Sequence, residues 1–428
     1  MSPMHSYRRL VSLTSPTYVL VAFVARVPLA MAQIGTLLLV AAETGSYGAG
    51  GATAGALAVA NAVGAPVAGS LADRWGQRPV VLVQSLLGAA GLVALVLCAT
   101  GGAPLATLLV VAALAGAALP QVGPLARVRW RPLTAGEAQQ GRLVATAFSY
   151  EGAADEASFV LGPAVVGLLA ALVDPAGALL VAAVTLAVFG TAFGLHGSAP
   201  RGTGRRTGGA SAPLLTATVL VLLGAQTLLG MVFGSIQTGS TAVATDAGMP
   251  GAAGLVHALL GIGSVTAALT YAYLPDRFTL GRRLLVAAAA LAVLSSPLLL
   301  ADTLPAVAAV TLVLGFAVAP YMITTFTLAE RVVPVARVAT AMTLLAGATG
   351  LGYAAGAALA GRLADLARAG SIDLGAHTAA YAVTVGSGLA ALLLAGVAAW
   401  RRTLVAEVPD GAPEPASAPD TPAITAVR

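Results

Sequence analysis

Long apolar runs, each cut off by a charge or by a cluster of Gly and Pro, set the pattern of this chain. They fall at 16–42, 47–72, 79–100, 104–128, 142–173, 176–197, 213–243, 249–274, 284–301, 305–329, 339–364 and 377–400. A hydrocarbon core of ~30 Å takes roughly 20 residues of helix, and the runs lack the two-residue alternation of a barrel strand. The pattern predicts twelve transmembrane helices, spans 1 to 12, in an all-α integral membrane fold. Composition agrees. Of 428 residues 58% are hydrophobic and 9% charged, against ~25% charged in soluble domains. In the first run, Ala30-Met31-Ala32 has the small residues of a signal-cleavage site. Arg26 interrupts that run and its apolar stretch continues to Ala42, so an uncleaved first span is expected.

Charge changes the picture by its placement. The formal net charge is +5 and all 22 basic residues are arginine, which by itself would point to nucleic acid. With the N-terminus placed inside, however, nineteen arginines fall on inner segments, from Arg8 and Arg9 to Arg428. The outer loops hold only Arg362 and Arg368, together with Glu43, Asp174, Asp246, Asp302 and Asp373. Cytoplasmic loops collect basic residues, so both termini are expected in the cytoplasm, in a multi-pass protein of the plasma membrane with no nucleic-acid partner. The single cysteine, Cys98, lies in an apolar run without a Cys/His cluster, so no metal or cofactor is expected. No nucleophile motif or Gly-Lys-Ser/Thr nucleotide loop supports an enzyme.

Between spans 6 and 7 the stretch Gly197 to Pro213 is basic and rich in Gly, Ser and Pro, the composition of a flexible linker. The expected organisation is a six-helix bundle at 1–197, a cytoplasmic linker at 198–212, a second six-helix bundle at 213–402 and a disordered tail at 403–428. The halves echo each other. Asp73-Arg74 after span 2 and Asp276-Arg277 after span 8 each open a short loop that ends in Gly and Arg, about half a chain apart.

The loop after span 2 reads Gly69-x-Leu71-Ala72-Asp73-Arg74-x-Gly76-x-Arg78. It resembles the signature between helices two and three of the major facilitator superfamily, with Gln77 where a basic residue is usual. Asp276, Arg277, Gly281 and Arg282 resemble a degenerate second copy. The resemblance spans about residues 8–402. It implies two pseudo-symmetric six-helix bundles, a monomer, and alternating access to a midplane site. It also implies a cytoplasmic gate in which Asp73, Arg74 and Arg78 grip the other bundle. Glycines in span 2 (Gly64, Gly69) and span 11 (Gly347, Gly352, Gly356) suit close helix contact.

Ionisable groups far from any loop are the candidate chemistry. Arg26 lies about 15 Å into span 1, Glu151 about 14 Å and Asp155 about 20 Å into span 5, at ~1.5 Å per residue. Glu156 points away from Asp155 by roughly 100° around the helix. A charge at a helix centre costs ~2.5–3.5 kcal/mol on insertion scales, so such groups pair or work. Arg26 is expected to pair with Glu151 or Asp155. One arginine against three carboxylates would leave a net −2, so one acid is expected to bind a proton reversibly. The alternative is a static network pinning span 5 to span 1. Beyond it, Gly162-Pro163 with Gly167 resembles the helix-five motif of the superfamily's drug/proton antiporters, and Pro163 should kink the helix. The helix-four arginine of that branch is absent as an intramembrane residue, since Arg127 and Arg129 are expected at the inner end of span 4.

Under the resemblance, spans 1, 4, 7 and 10 line the cavity. Gln33, Gln121, Gln226, Phe233, Tyr321 and Phe326 are the polar and aromatic groups at mid-depth there. So sparse a set of hydrogen-bonding groups suits an apolar or amphipathic organic molecule better than a sugar. His257 in span 8 is a further protonation candidate. The expected function is proton-coupled export of such a compound. Proton-coupled import of a metabolite remains open, as does a non-transporting membrane protein with static ion pairs.

Overall fold

The computed structural model describes residues 3–202, 214–249, 252–275 and 277–401. Among these, twelve helices are long and apolar enough to cross a membrane. In the first half they are Pro16–Thr44, Ala49–Trp75, Gln77–Thr100, Leu105–Leu133, Gln140–Ala170 and Pro175–Leu195. In the second half they are Ala217–Asp246, Ala252–Tyr271, Leu280–Leu300, Leu304–Val332, Val335–Arg368 and Ala376–Trp400. They match spans 1 to 12 in order. The outward faces carry large apolar side chains such as Leu86, Leu97, Leu114, Val286 and Leu393, as a lipid-facing surface requires. A helix over Pro3–Thr14 precedes span 1. Most of the expected linker and the expected tail lie outside the described residues, as does Asp276.

Two spans are interrupted by non-helical residues, each next to a proline. Span 1 divides into Pro16–Val24 and Val27–Thr44. Pro28 has no N–H to give to the preceding turn, and Arg26 sits at the interruption. Span 4 divides into Leu105–Ala118 and Val122–Leu133 around Pro120. The freed carbonyls are satisfied from span 2, where Asn61 Nδ2 donates to Gly116 O at 3.0 Å and to Leu119 O at 2.9 Å. Gln121 Nε2 in turn donates to Asn61 Oδ1 at 2.6 Å. Span 5 is one helix from Gln140 to Leu172, unbroken through Pro163.

Small residues set the closest helix contacts. Spans 7 and 11 press backbone to backbone, so that a methyl group on Gly352 or Gly356 would run into Thr227 or Met231. The halves meet through spans 2 and 11 and through spans 5 and 8. These contacts gather toward the end of the molecule that holds the N-terminal helix, called here the N-terminal face. Gly69 of span 2 abuts Ala339 and Thr343 of span 11, and nearby Gly152 of span 5 abuts Ile323 of span 10. Toward the opposite face, Gly55 of span 2, Gly361 of span 11, Gly167 of span 5 and Gly254 of span 8 have nothing within 4 Å of a Cβ position.

Candidate functional site

The break in span 1 aims Arg26 at span 5. Arg26 Nη2 is ion-paired with Glu151 Oε2, and its Nε lies 3.4 Å from Asp155 Oδ1. Glu151 is fully buried, and its other oxygen accepts from Trp130 Nε1 at 2.5 Å. The break in span 4 delivers a second cation. Arg127 Nη1 lies 2.7 Å from Asp155 Oδ2, and its guanidinium stacks 4.3 Å from the Phe326 ring centroid. Arg26 and Arg127 are 4% and 1% exposed, so both belong to the interior.

This corrects two expectations. Arg127 and Arg129 are not at an exposed inner end, because the second segment of span 4 packs inside the bundle. The cluster does not carry −2 around one arginine, because Arg26 and Arg127 balance Glu151 and Asp155. Four guanidinium nitrogens of the cluster, Arg26 Nε and Nη1 and Arg127 Nε and Nη2, have no hydrogen-bond partner among the described residues. Glu156 stands apart from this quartet. It is 7% exposed, lies beside Ser264 of span 8, and has no ion pair among the described residues. His257 Nδ1 is buried without a partner among them.

Arginines at 127, 129 and 131 alternate in direction, since two residues turn a helix by roughly 200°. Arg129 points into the first half, where its Nε donates to Gln77 Oε1 at 2.9 Å and its Nη2 to Phe193 O at 3.0 Å. Gln77, the departure from the signature, is thus a buried acceptor for this arginine, and its Nε2 donates to Leu125 O at 3.0 Å. Arg131 points the other way and pairs with Glu330 at the end of span 10, at 2.6 Å.

Asp73 joins the halves through backbone. Its carboxylate accepts from Ala339 N at 3.0 Å, from Thr340 N at 2.8 Å and from Thr340 Oγ1 at 2.6 Å. A residue of span 2 therefore caps the start of span 11, where free N–H groups and the helix dipole favour an anion.

Residues 222–428 match the sequence model of the Major Facilitator Superfamily. A comparison with curated proteins gives no match. Among solved structures, the human organic anion transporter MFSD10 (TETRAN) is similar at 20% identity and a TM-score of 0.65, covering 88% of this chain and 98% of that one. A bacterial homologue of the iron transporter ferroportin, in an outward-facing state, gives 15% identity and a TM-score of 0.68, with 90% and 98% covered. The proton:xylose symporter XylE bound to 6-bromo-6-deoxy-D-glucose gives 14% and 0.65, with 90% and 94% covered. The fold is the major facilitator fold.

Within this fold the residues singled out in the sequence take different places. Arg74 is exposed and lies over Trp75 at 5.9 Å, and Arg78 is exposed; neither has a hydrogen bond or ion pair to the second half among the described residues. Arg277 lies over Phe278 at 5.4 Å. Gly69 lets spans 2 and 11 touch, and Gly162 lets span 5 approach Ala30 of span 1, where a Cβ would come within 2.6 Å. Gln33 and Phe233 are half-buried. Gln226 accepts from Thr349 Oγ1 at 3.1 Å and leaves its Nε2 without a partner, as Tyr321 leaves its hydroxyl. Gln121 is engaged at the break in span 4 and Phe326 under Arg127. Trp130, Arg127, Arg131 and Glu330 were not anticipated as site residues. The run Arg127-Val-Arg-Trp-Arg131 was visible, but it reads as a positive loop edge until the break at Pro120 is known.

Proposed function

We propose that this chain is a secondary active transporter of the Major Facilitator Superfamily, working by alternating access to export a small apolar or amphipathic organic molecule in exchange for protons. The observation that carries the reading is the contrast in span 5. Glu151 and Asp155 are each held by buried arginine, while Glu156, next to them, faces the seam with span 8 and has none. A bare carboxylate there would cost several kcal/mol. Glu156 can therefore hold a proton without disturbing the quartet, and release it when the seam opens to water. Glu151, Asp155, Arg26 and Arg127 keep span 5 in register with spans 1 and 4, and Asp155 passes the change at Glu156 to Arg127.

The N-terminal face is the cytoplasmic one in this reading, and the state described is closed there. Asp73 on span 11 and Arg131 on Glu330 are polar contacts that can break and re-form, as a gate must. Arg74, Gly76, Arg78, Asp276 and Arg277 belong to the loops of the same gate, in which Asp73 supplies the grip on the other half. Gln33, Gln226, Phe233 and Tyr321 line the substrate path, with Gln121 and Phe326 behind them. Gly162, Pro163 and Gly167 set the course of span 5 along it.

The test is substrate-driven proton flux. The protein is reconstituted in liposomes with a trapped pH dye and challenged with lipophilic ions of either sign, antibiotics and sugars. Wild type should show flux with an apolar or amphipathic compound, and Glu156→Gln should lose at least tenfold of it at unchanged thermal stability. Binding without flux in wild type would overturn proton coupling. Full flux in Glu156→Gln would remove Glu156 as the carrier and return the role to Asp155.

A further inference from the structure

The helix over Pro3–Thr14 is tied to both halves. Ser6, Leu10 and Thr14, each four residues from the next, are buried and form one stripe along it. Leu10 joins the cluster that holds Leu143 and Ala147 of span 5, and Arg9 grips Glu137 of the turn between spans 4 and 5 at 2.6 Å. These contacts belong to the first half. Tyr7 reaches the second. Its hydroxyl donates to Leu269 O at 3.2 Å, in the last turn of the helix Ala252–Tyr271 of span 8, where a helix has no donors of its own left for its carbonyls. The N-terminal helix therefore crosses the seam between spans 5 and 8 on the N-terminal face.

The corner that sets its direction is strained. Ser15, between this helix and span 1, has a φ of +87° and is the one non-glycine residue with a positive φ among the described residues. An L side chain rarely adopts such a backbone, and a residue held there persists only while its surroundings over-determine it. Ser15 N donates to Val11 O at 2.8 Å and its Oγ accepts from Tyr18 N at 3.3 Å, so the corner is fixed to both helices. Two influences therefore oppose each other. The contacts of Tyr7 and Arg9 hold the helix across the seam, and the strain at Ser15 favours its release.

We infer that Pro3–Thr14 is a strap that holds the N-terminal face closed, fixed to the first half by Arg9 and Leu10 and released from the second at Tyr7. When the ends of spans 5 and 8 part, the Tyr7 contact must break, while those of Arg9 and Leu10 travel with the first half. A single hydrogen bond suits that duty, because its net worth is small once water can replace the partner. The strap goes beyond the transport reading above and rests only on its alternating access. It acts whatever compound is carried and whichever ion drives it.

The experiment is the rate at which a buried cysteine reacts with a water-soluble maleimide in the full chain in lipid nanodiscs. The cysteine is introduced by Ala153→Cys, buried on span 5 in the cluster shared with the second half, in a Cys98→Ser background. Its rate scales with the fraction of time the seam is open. Tyr7→Phe, which keeps the ring and removes the donor, should raise the rate about two- to tenfold at an unchanged thermal midpoint, and Arg9→Gln should raise it too. Ser15→Gly, which removes the strain, should label no faster than the parent protein. Labelling of Tyr7→Phe at the parent rate would overturn the strap, and faster labelling of Ser15→Gly would overturn the strained corner as its release. No labelling in any folded variant, against full labelling after denaturation, would overturn alternating access at this face and the strap with it.

Discussion

At the scale of the residue, the decisive feature is how charge is neutralised in a setting that punishes it. Arg127 and Asp155 form one arm of the quartet, so removing one partner leaves the quartet with one uncompensated charge. Arg127→Met should destabilise the protein by about 3–5 kcal/mol, read as a lower thermal midpoint in detergent. Arg127→Met combined with Asp155→Leu should recover much of the loss, because no uncompensated charge remains. A double variant no better than the single one would show that the pair is not coupled. A second ion pair lies outside the spans. Arg9 Nη2 donates to Glu137 Oε1 at 2.6 Å and Nε to Oε2 at 3.2 Å, tying the N-terminal helix to the turn between spans 4 and 5. The hydrogen bond from Arg9 holds the Glu137 carboxyl below its ordinary value of 4.5. The tie is therefore fully present above that value and is lost as pH falls through the lower folded one. Hydrogen exchange in Pro3–Thr14 should rise only at pH below 4.5 after correction for intrinsic rates, and in Glu137→Gln it should be raised already at neutral pH.

At the scale of the element, the two broken spans explain why the site is where it is, and why only part of it could be read in advance. Apolar runs show as runs, so the twelve helices and their order were legible. The meeting of Arg26 with span 5 was legible too, because both helices run the same way and residue counts compare depths. Arg127 was not. Its burial depends on a break at Pro120 whose carbonyls are satisfied by Asn61, some sixty residues earlier, and nothing local in either segment announces that partner. The same holds for Asp73, whose ligands are backbone N–H groups that carry no side-chain signature. Asn61 gives the element-scale prediction. Asn61→Leu strips the Leu119 carbonyl of its Asn61 donor in an apolar setting, at about 1–3 kcal/mol, leaves Gly116 O with Leu119 N alone, and lets the second segment of span 4 re-aim. The thermal midpoint should fall. The fluorescence of Trp130, isolated by replacing Trp75 and Trp400 with Phe, should shift as its bond to Glu151 loosens. An unshifted Trp130 spectrum would mean that the break is held by Pro120 alone.

At the scale of the whole molecule, two six-helix halves share a seam that is tight at the N-terminal face and loose at the other. The tightness there has two sources of different character. Small residues such as Gly69 set how near spans 2 and 11 can come, but apolar contact between helices has no hydrophobic driving force in lipid, so close fit by itself favours the closed state only weakly. Asp73 adds a directional term, because its carboxylate satisfies N–H groups at the start of span 11 that otherwise need water. A helix cap is worth about 0.5–2 kcal/mol, and a population ratio changes tenfold for every 1.4 kcal/mol. Removing the cap should therefore move the balance between closed and open N-terminal faces by up to about thirtyfold, which spin-label distances can read. Labels at Arg74 and Val335, both exposed at the ends of facing elements, would be placed in a Cys98→Ser background. Wild type should give a single short distance. Asp73→Ala should add a longer one, and Thr340→Val, which removes one of the three donors and spares the backbone pair, should fall between. If all three proteins give the same short distance, the seam is held by packing alone, and the gate assigned to Asp73 would have to be sought at Arg131 and Glu330.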